Sequence, residues 1–128
     1  MFLGLRTVIY PAPDLAASKA SFTELLGTEP YFDEPYYVGF SVAGYELGLD
    51  PGGDPAVGPV TFWGVADADR ALAELVASGA TARGDVQDVG DGVRVVTVTE
   101  ATGHVLGIVQ NPHFALPPAE PAPDGPGR

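Results

Sequence analysis

One unit occurs twice in this chain, and that repeat limits the possible folds more than any other feature. LRTVIYPAPDLAASKASFTELLG (5–27) and PVTFWGVADADRALAELVASG (59–79) share a layout: an apolar extended run, an acidic turn, an amphipathic run and a glycine. Thr7 corresponds to Val60, Tyr10 to Trp63 and Asp14 to Asp67, each at an offset of 53 residues. Asp14, and Asp67 or Asp69, can cap the helices, which Gly27 and Gly79 are placed to end. Leu15, Phe22, Leu25 and Leu26 share a face of the first helix; Leu72, Leu75 and Val76 form a stripe on the second. Strand-like runs follow each helix, YYVGFSV and YELGL after the first, VRVVTVT and HVLGIV after the second. Shorter extended pieces are expected near 30–32 and 81–89. The order is β-α-β-β-β, twice. The last strands align Gly44 with Gly103 and Gly48 with Gly107 at an offset of 59, so loops absorb the difference. Neither copy can close a core alone, so the two are expected side by side in one sheet with a shared concave face.

The chain has 128 residues, of which 45% are hydrophobic, enough for a single domain with a core. Its formal net charge is −11, so no basic stripe exists to meet phosphates and no nucleic-acid partner is expected. Acidity of this size serves solubility and would suit a cationic ligand. Cysteine is absent, which removes disulfides, thiol nucleophiles and thiolate metal sites and fits a cytoplasmic location. MFLGLRTVIYPAPD reads neither as a signal peptide nor as a membrane span, and no membrane partner is expected. From Ala115 the chain holds five prolines in 14 residues, with Leu116 its one large apolar side chain. Residues 115–128 are therefore expected to form a flexible Pro-rich tail. The folded domain is then 1–114, with one module at about 4–52 and the other at about 57–114.

TVIYPAPDL, TFWGVADADRALAEL and ATGHVLGIVQNP, in this duplicated order, resemble the vicinal oxygen chelate superfamily. That group includes glyoxalase I, extradiol dioxygenases and the bleomycin-binding resistance proteins. The resemblance implies an α+β fold: two tandem βαβββ modules form a curved mixed sheet, a cup with the helices outside and the ligand inside. It also implies a homodimer. Enzymes of the superfamily place metal ligands early in each module's first strand and midway along its last. Those positions fall here on Thr7, Val60, Gly48 and Gly107. A divalent ion needs converging imidazole, carboxylate or comparable oxygen donors. No metal, cofactor or catalytic residue is therefore expected, and glycine at two of the positions is expected to enlarge the cup. His104 and His113 stand apart and support no triad. GDGVR reads as a hairpin turn, not a phosphate loop.

Strand alternation supplies a lining for the cup. A tight turn at Ala43-Gly44 would pair Ser41 with Glu46 and Gly39 with Gly48, turning Tyr37, Ser41, Glu46 and Gly48 inward. Thr7, Ile9 and Phe62 face the same way, with Tyr10 and Trp63 toward the helices. A four-residue turn over 100–103 would point Arg94, Val96, Val98, Val105, Gly107 and Val109 inward. The expected ligand-binding set is Thr7, Ile9, Tyr37, Ser41, Glu46, Gly48, Phe62, Arg94, Val96 and Gly107. Glu46 either anchors a ligand or lies in water at the sheet rim. YFDEPYY (31–37) is either core and loop or a rim that stacks on a planar ligand. The expected function is metal-free sequestration of an aromatic, largely apolar natural product, as in the antibiotic-binding resistance proteins. The alternative is a divergent glyoxalase- or dioxygenase-like enzyme using Glu46, Arg94 and Tyr37.

Overall fold

Each helix starts where an aspartate side chain accepts a backbone N–H of its own first turn. In the structure, a computed structural model that describes residues 1–117, α1 (Leu15–Leu26) follows Asp14, whose carboxylate accepts from the Ala17 N–H. α2 (Ala68–Ala77) follows Asp67, which accepts from the Arg70 N–H, so Asp67 rather than Asp69 is the cap. Gly27, at φ +67°, closes α1 by donating to the Thr23 carbonyl. Among the described residues no helix is long and apolar enough to cross a membrane.

The strands are β1 (Gly4–Pro11), β2 (Phe32–Glu34), β3 (Tyr37–Val42), β4 (Tyr45–Asp50), β5 (Val60–Gly64), β6 (Thr81–Ala82), β7 (Gln87–Asp88), β8 (Arg94–Thr99) and β9 (Val105–Gln110). They form one curled mixed sheet in the order β2-β3-β4-β1-β5-β9-β8-β6, with β7 also on β8. The expected double β-α-β-β-β order is present, the second strand of module 2 being broken into β6 and β7. β1 and β5 pair antiparallel at the centre, and Val8 lies opposite Thr61, its own repeat partner. The approximate two-fold axis between modules passes through that pair. β4 and β9 flank the central strands in parallel.

The outer face carries two cores, one under each helix. Ala12, Val38, Phe40 and Leu49 are buried with Tyr10, Leu15, Phe22, Leu26 and Leu47 around them. Val65, Ala68, Ala71, Val96 and Ile108 are buried with Leu72, Leu75 and Val86 around them. Two expected core residues fall outside: Leu25 is 74% exposed and Val76 48% exposed. Each lies one residue, about 100° around the helix, from a partly buried leucine packed on the core, Leu26 or Leu75, which takes it off the packed stripe.

The two long hairpins differ in their turns. Ala43 (φ +52°) and Gly44 (φ +90°) make a two-residue turn, and Ser41 pairs with Glu46 and Gly39 with Gly48 as expected. In the second hairpin Thr97, not Val96, pairs with Gly107, and Thr99 pairs with Val105. The cause is Glu100. Its N–H donates to the His104 carbonyl, and its own carbonyl accepts from the Gly103 N–H, leaving a three-residue turn with Gly103 at φ +102°. Its carboxylate accepts from the Thr102 hydroxyl and the His104 N–H, which hold it down at about 2. The register moves by one residue, and every β8 side chain changes face. Val96 therefore packs against α2, Val98 goes to the outer face with it, and Arg94 pairs with Asp69 on α2. Val95, Thr97 and Thr99 take their places on the concave side.

These cores predict a sharp contrast between two apolar truncations. Phe40→Ala should lower unfolding free energy by about 3–5 kcal/mol in a denaturant titration. Leu25→Ala should change it by no more than about 0.5 kcal/mol.

Candidate ligand-binding cup

The concave face is assembled from side chains that alternation turns inward. Thr7 and Ile9 come from β1, Glu46, Gly48 and Asp50 from β4, Val60 and Phe62 from β5, and Val105 and Gly107 from β9. Ile9 pairs with both Gly48 and Val60, and Phe62 with both Thr7 and Gly107. The four positions singled out by the resemblance thus meet at the middle of the cup. Their donor set does not fit a divalent ion. It offers one hydroxyl, on Thr7, and that hydroxyl donates to Glu46 Oε1 at 3.3 Å. Among the described residues no three His, Cys, Asp or Glu side chains converge.

Gly48 and Gly107 both have ordinary strand backbone, so their need for glycine is one of space. A Cβ on Gly48 would overlap the Tyr37 hydroxyl, and one on Gly107 would overlap the Phe62 ring. The glycines do not enlarge the cup as expected. They seat two rings of the chain itself. Gly39 does the same beside them: its missing Cβ would stand 2.7 Å from Glu46 Oε2 and 3.2 Å from Tyr31 Cε1.

Around Glu46 the seated groups form a polar cluster. Tyr31 donates its hydroxyl to Glu46 Oε2 at 2.6 Å, while Thr7 holds Oε1. Burial, reinforced by the Glu46 charge, pushes both the Tyr31 and Tyr37 phenols above the ordinary tyrosine range. Ser41 sits at the outer end of this strand pair, opposite Glu46 and exposed.

The space that remains open lies at the opposite end. A cavity of about 220 Å³ is floored by Ile9, Val60, Phe62 and Val105. Thr97, Arg83, Asp50 and Asp54 supply its polar wall, and the linker residues Gly53, Val57 and Gly58 close one side. Asp50 fixes that linker by accepting from the Gly52 N–H at 2.8 Å and, through its carbonyl, from the Gly53 N–H at 3.1 Å. Sequence reasoning missed Thr97, Arg83, Asp50 and the linker. The readable signal was DPGGDP, whose Gly53 approaches the Pro11 backbone too closely for a side chain.

Arg94 and Val96 are absent from the cup, for the register reason above. Trp63 lies on the face opposite Phe62, stacked on Phe2 at 5.1 Å between centroids. Part of the expected tail is packed: Leu116 and Pro117 lie against Gly44, after Phe114 stacks under Arg6 at 4.0 Å. Residues 118–128 lie outside the described residues.

No known family profile matches the chain, and no curated protein matches it in sequence. Solved structures do. A methylmalonyl-CoA epimerase of Streptomyces coelicolor, in complex with 2-nitronate-propionyl-CoA, superposes at a TM-score of 0.71 and 15% identity, over 88% of this chain and 99% of that one. A glyoxalase/bleomycin resistance protein/dioxygenase superfamily member of Vibrio splendidus 12B01 gives 0.60 at 19% identity, over 84% and 99%. A protein described as an NAD-dependent benzaldehyde dehydrogenase of Legionella pneumophila gives 0.64 at 19% identity, over 81% and 96%. The chain has the vicinal oxygen chelate fold. Identities this low fix the fold and no activity.

Two measurements follow from the seated rings. Gly107→Ala should cost about 1–3 kcal/mol of stability, because Phe62 must leave its place. In a Phe62→Ala background most of that cost should vanish; additive effects in the double-mutant cycle would contradict the contact. In alkali the native state holds the Tyr31 and Tyr37 protons that the unfolded chain releases near pH ~10, so stability should fall as pH rises past that point. Denaturant midpoints compared at pH ~8 and ~11 check the sign, and Tyr37→Phe should flatten the fall.

Proposed function

We propose that the protein binds a small, largely apolar aromatic molecule in its cup without a metal ion and holds it unchanged, stoichiometrically. The carrying observation is the donor set: the four central positions offer one hydroxyl, already hydrogen-bonded, and two glycines covered by rings. The open cavity supports the same reading. An apolar floor with one aromatic ring and a few polar groups at the wall is how small-molecule sites are built. Its volume, about 220 Å³, suits a fused ring system with the rest of the ligand reaching along the cup toward Glu46. In this reading the biological role is sequestration of an aromatic natural product away from its target. The assembly is a homodimer with one ligand per chain.

Calorimetric titration of chelator-treated protein with a panel of polycyclic aromatic natural products tests this. Saturable binding at one ligand per chain is expected, with the compound recovered unaltered and light scattering at twice the chain mass. Binding that requires a divalent ion, turnover of the compound, or no binding across the panel would overturn it.

A further inference from the structure

Apolar binding leaves the cluster at the first-module end of the cup unexplained. Glu46 is partly buried, and each of its oxygens accepts from a neutral hydroxyl, Tyr31 on one and Thr7 on the other. Hydroxyl donors satisfy the lone pairs and leave the charge. No lysine or arginine of the described residues pairs with Glu46. Lys19 pairs with Asp33, Arg70 with Glu74 and Arg94 with Asp69. Arg6 lies over Phe114, and Arg83 reaches Thr99 on β8. A partly buried carboxylate without a counter-ion is costly to retain.

Aromatic rings lead outward from the same point, beginning with Tyr31 on Glu46 Oε2. Phe32 lies 6.1 Å from Tyr37 and 6.0 Å from Tyr36, centroid to centroid. Tyr31 is 63% and Tyr36 67% exposed, although both are large rings beside a cup. Rings gathered near a negative charge attract a cation through their quadrupoles as well as through the charge. The raised Tyr31 and Tyr37 phenols stay protonated in neutral solution, so Tyr31 keeps its hydrogen bond and neither adds a charge of its own.

We propose that this end of the cup is a subsite for an organic cation, an ammonium or amidinium group carried on the aromatic ligand. Glu46 is its counter-ion, and Tyr31, Phe32 and Tyr36 are its wall. Along β4 the subsite at Glu46 and the cavity at Asp50 are separated by Gly48 alone, under the Tyr37 ring. A ligand of modest length therefore reaches both, with its ring in the cavity and its charge at Glu46. The inference rests on the cup being the binding site, and it narrows the ligand class to aromatic amines and amidines.

The probes are 6-(1-naphthyl)hexylamine and 6-(1-naphthyl)hexan-1-ol, alike in shape, different in charge and long enough to reach from the cavity at Asp50 toward Glu46, four residues or about 13 Å along the strand, titrated by calorimetry. The amine should bind about tenfold tighter than the alcohol, as expected when one ion pair is added in a partly buried site. Glu46→Gln should bring the ratio to about one. Glu24→Gln, on the exposed side of α1, should leave the ratio unchanged, which separates a local counter-ion from the overall −11 charge. Raising the salt concentration should weaken the amine more than the alcohol, a readout on the unmodified protein that needs no variant to fold. Equal affinity for the two probes would overturn the cation subsite and leave the cup reading standing. Binding of neither would overturn both.

Discussion

The pairing of β1 with β5 carries the rest of the molecule. It joins the two copies of the repeat antiparallel, with Val8 against Thr61 on the axis that relates them. From that pair outward, every inward residue is ordered: Thr7 and Phe62 on one side, Ile9 and Val60 on the other. β4 and β9 then add in parallel, each setting its glycine beside an inward residue of the central pair. A slip of one residue at this seam would turn Thr7 and Phe62 outward and put Val8 and Thr61 in the cup. The outer cores would lose their partners in the same movement, since Tyr10 packs against Phe22 of α1 at 5.4 Å.

The symmetric frame holds an asymmetric floor. Ile9 and Phe62 are equivalent in the repeat, and so are Gly48 and Gly107. Phe62 lies across Gly107, whereas Ile9 leaves Gly48 to Tyr37 from β3. The residue of module 2 that corresponds to Tyr37 is Val95, because each precedes the strand partner of an equivalent core residue, Leu49 or Ile108. Module 1 therefore presents phenol hydroxyls and a carboxylate, and module 2 presents hydrocarbon. The polar end of the cup comes from those differences together with Tyr31 and with Glu46, whose equivalent in module 2 is Val105.

Local signals were legible in the sequence. Asp14 and Asp67 cap the helices, Gly27 ends one, and the two-residue turn at Ala43-Gly44 set the first hairpin's faces correctly. The second hairpin was misread because its register depends on the Glu100 carboxylate holding Thr102 and His104, a side-chain arrangement with no periodic trace. Arg94 and Val96 were misassigned for that one reason. Leu25 and Val76 were misassigned because a broad apolar face does not say which edge of it meets the sheet. The linker wall of the cavity was invisible, since 51–59 gains its role only after the two modules meet. The glycines were read as space left for a ligand, although the rings that fill it, Tyr37 and Phe62, were themselves on the expected inward list.

That last point changes what the glycines mean. A residue bearing a metal-binding carboxylate at position 48 needs the volume in which the Tyr37 ring now sits, and at position 107 the volume of the Phe62 ring. Both backbones have ordinary strand dihedrals, so no conformational demand holds glycine there. In this chain an ion-binding side chain and the seated ring exclude each other at both positions. Restoring a carboxylate to either would require the ring above it to swing out of the floor, and with Phe62 would go the aromatic member of the cavity lining. A glycine without a donor and a ring seated on it are thus one structural arrangement, met twice, once in each copy of the repeat.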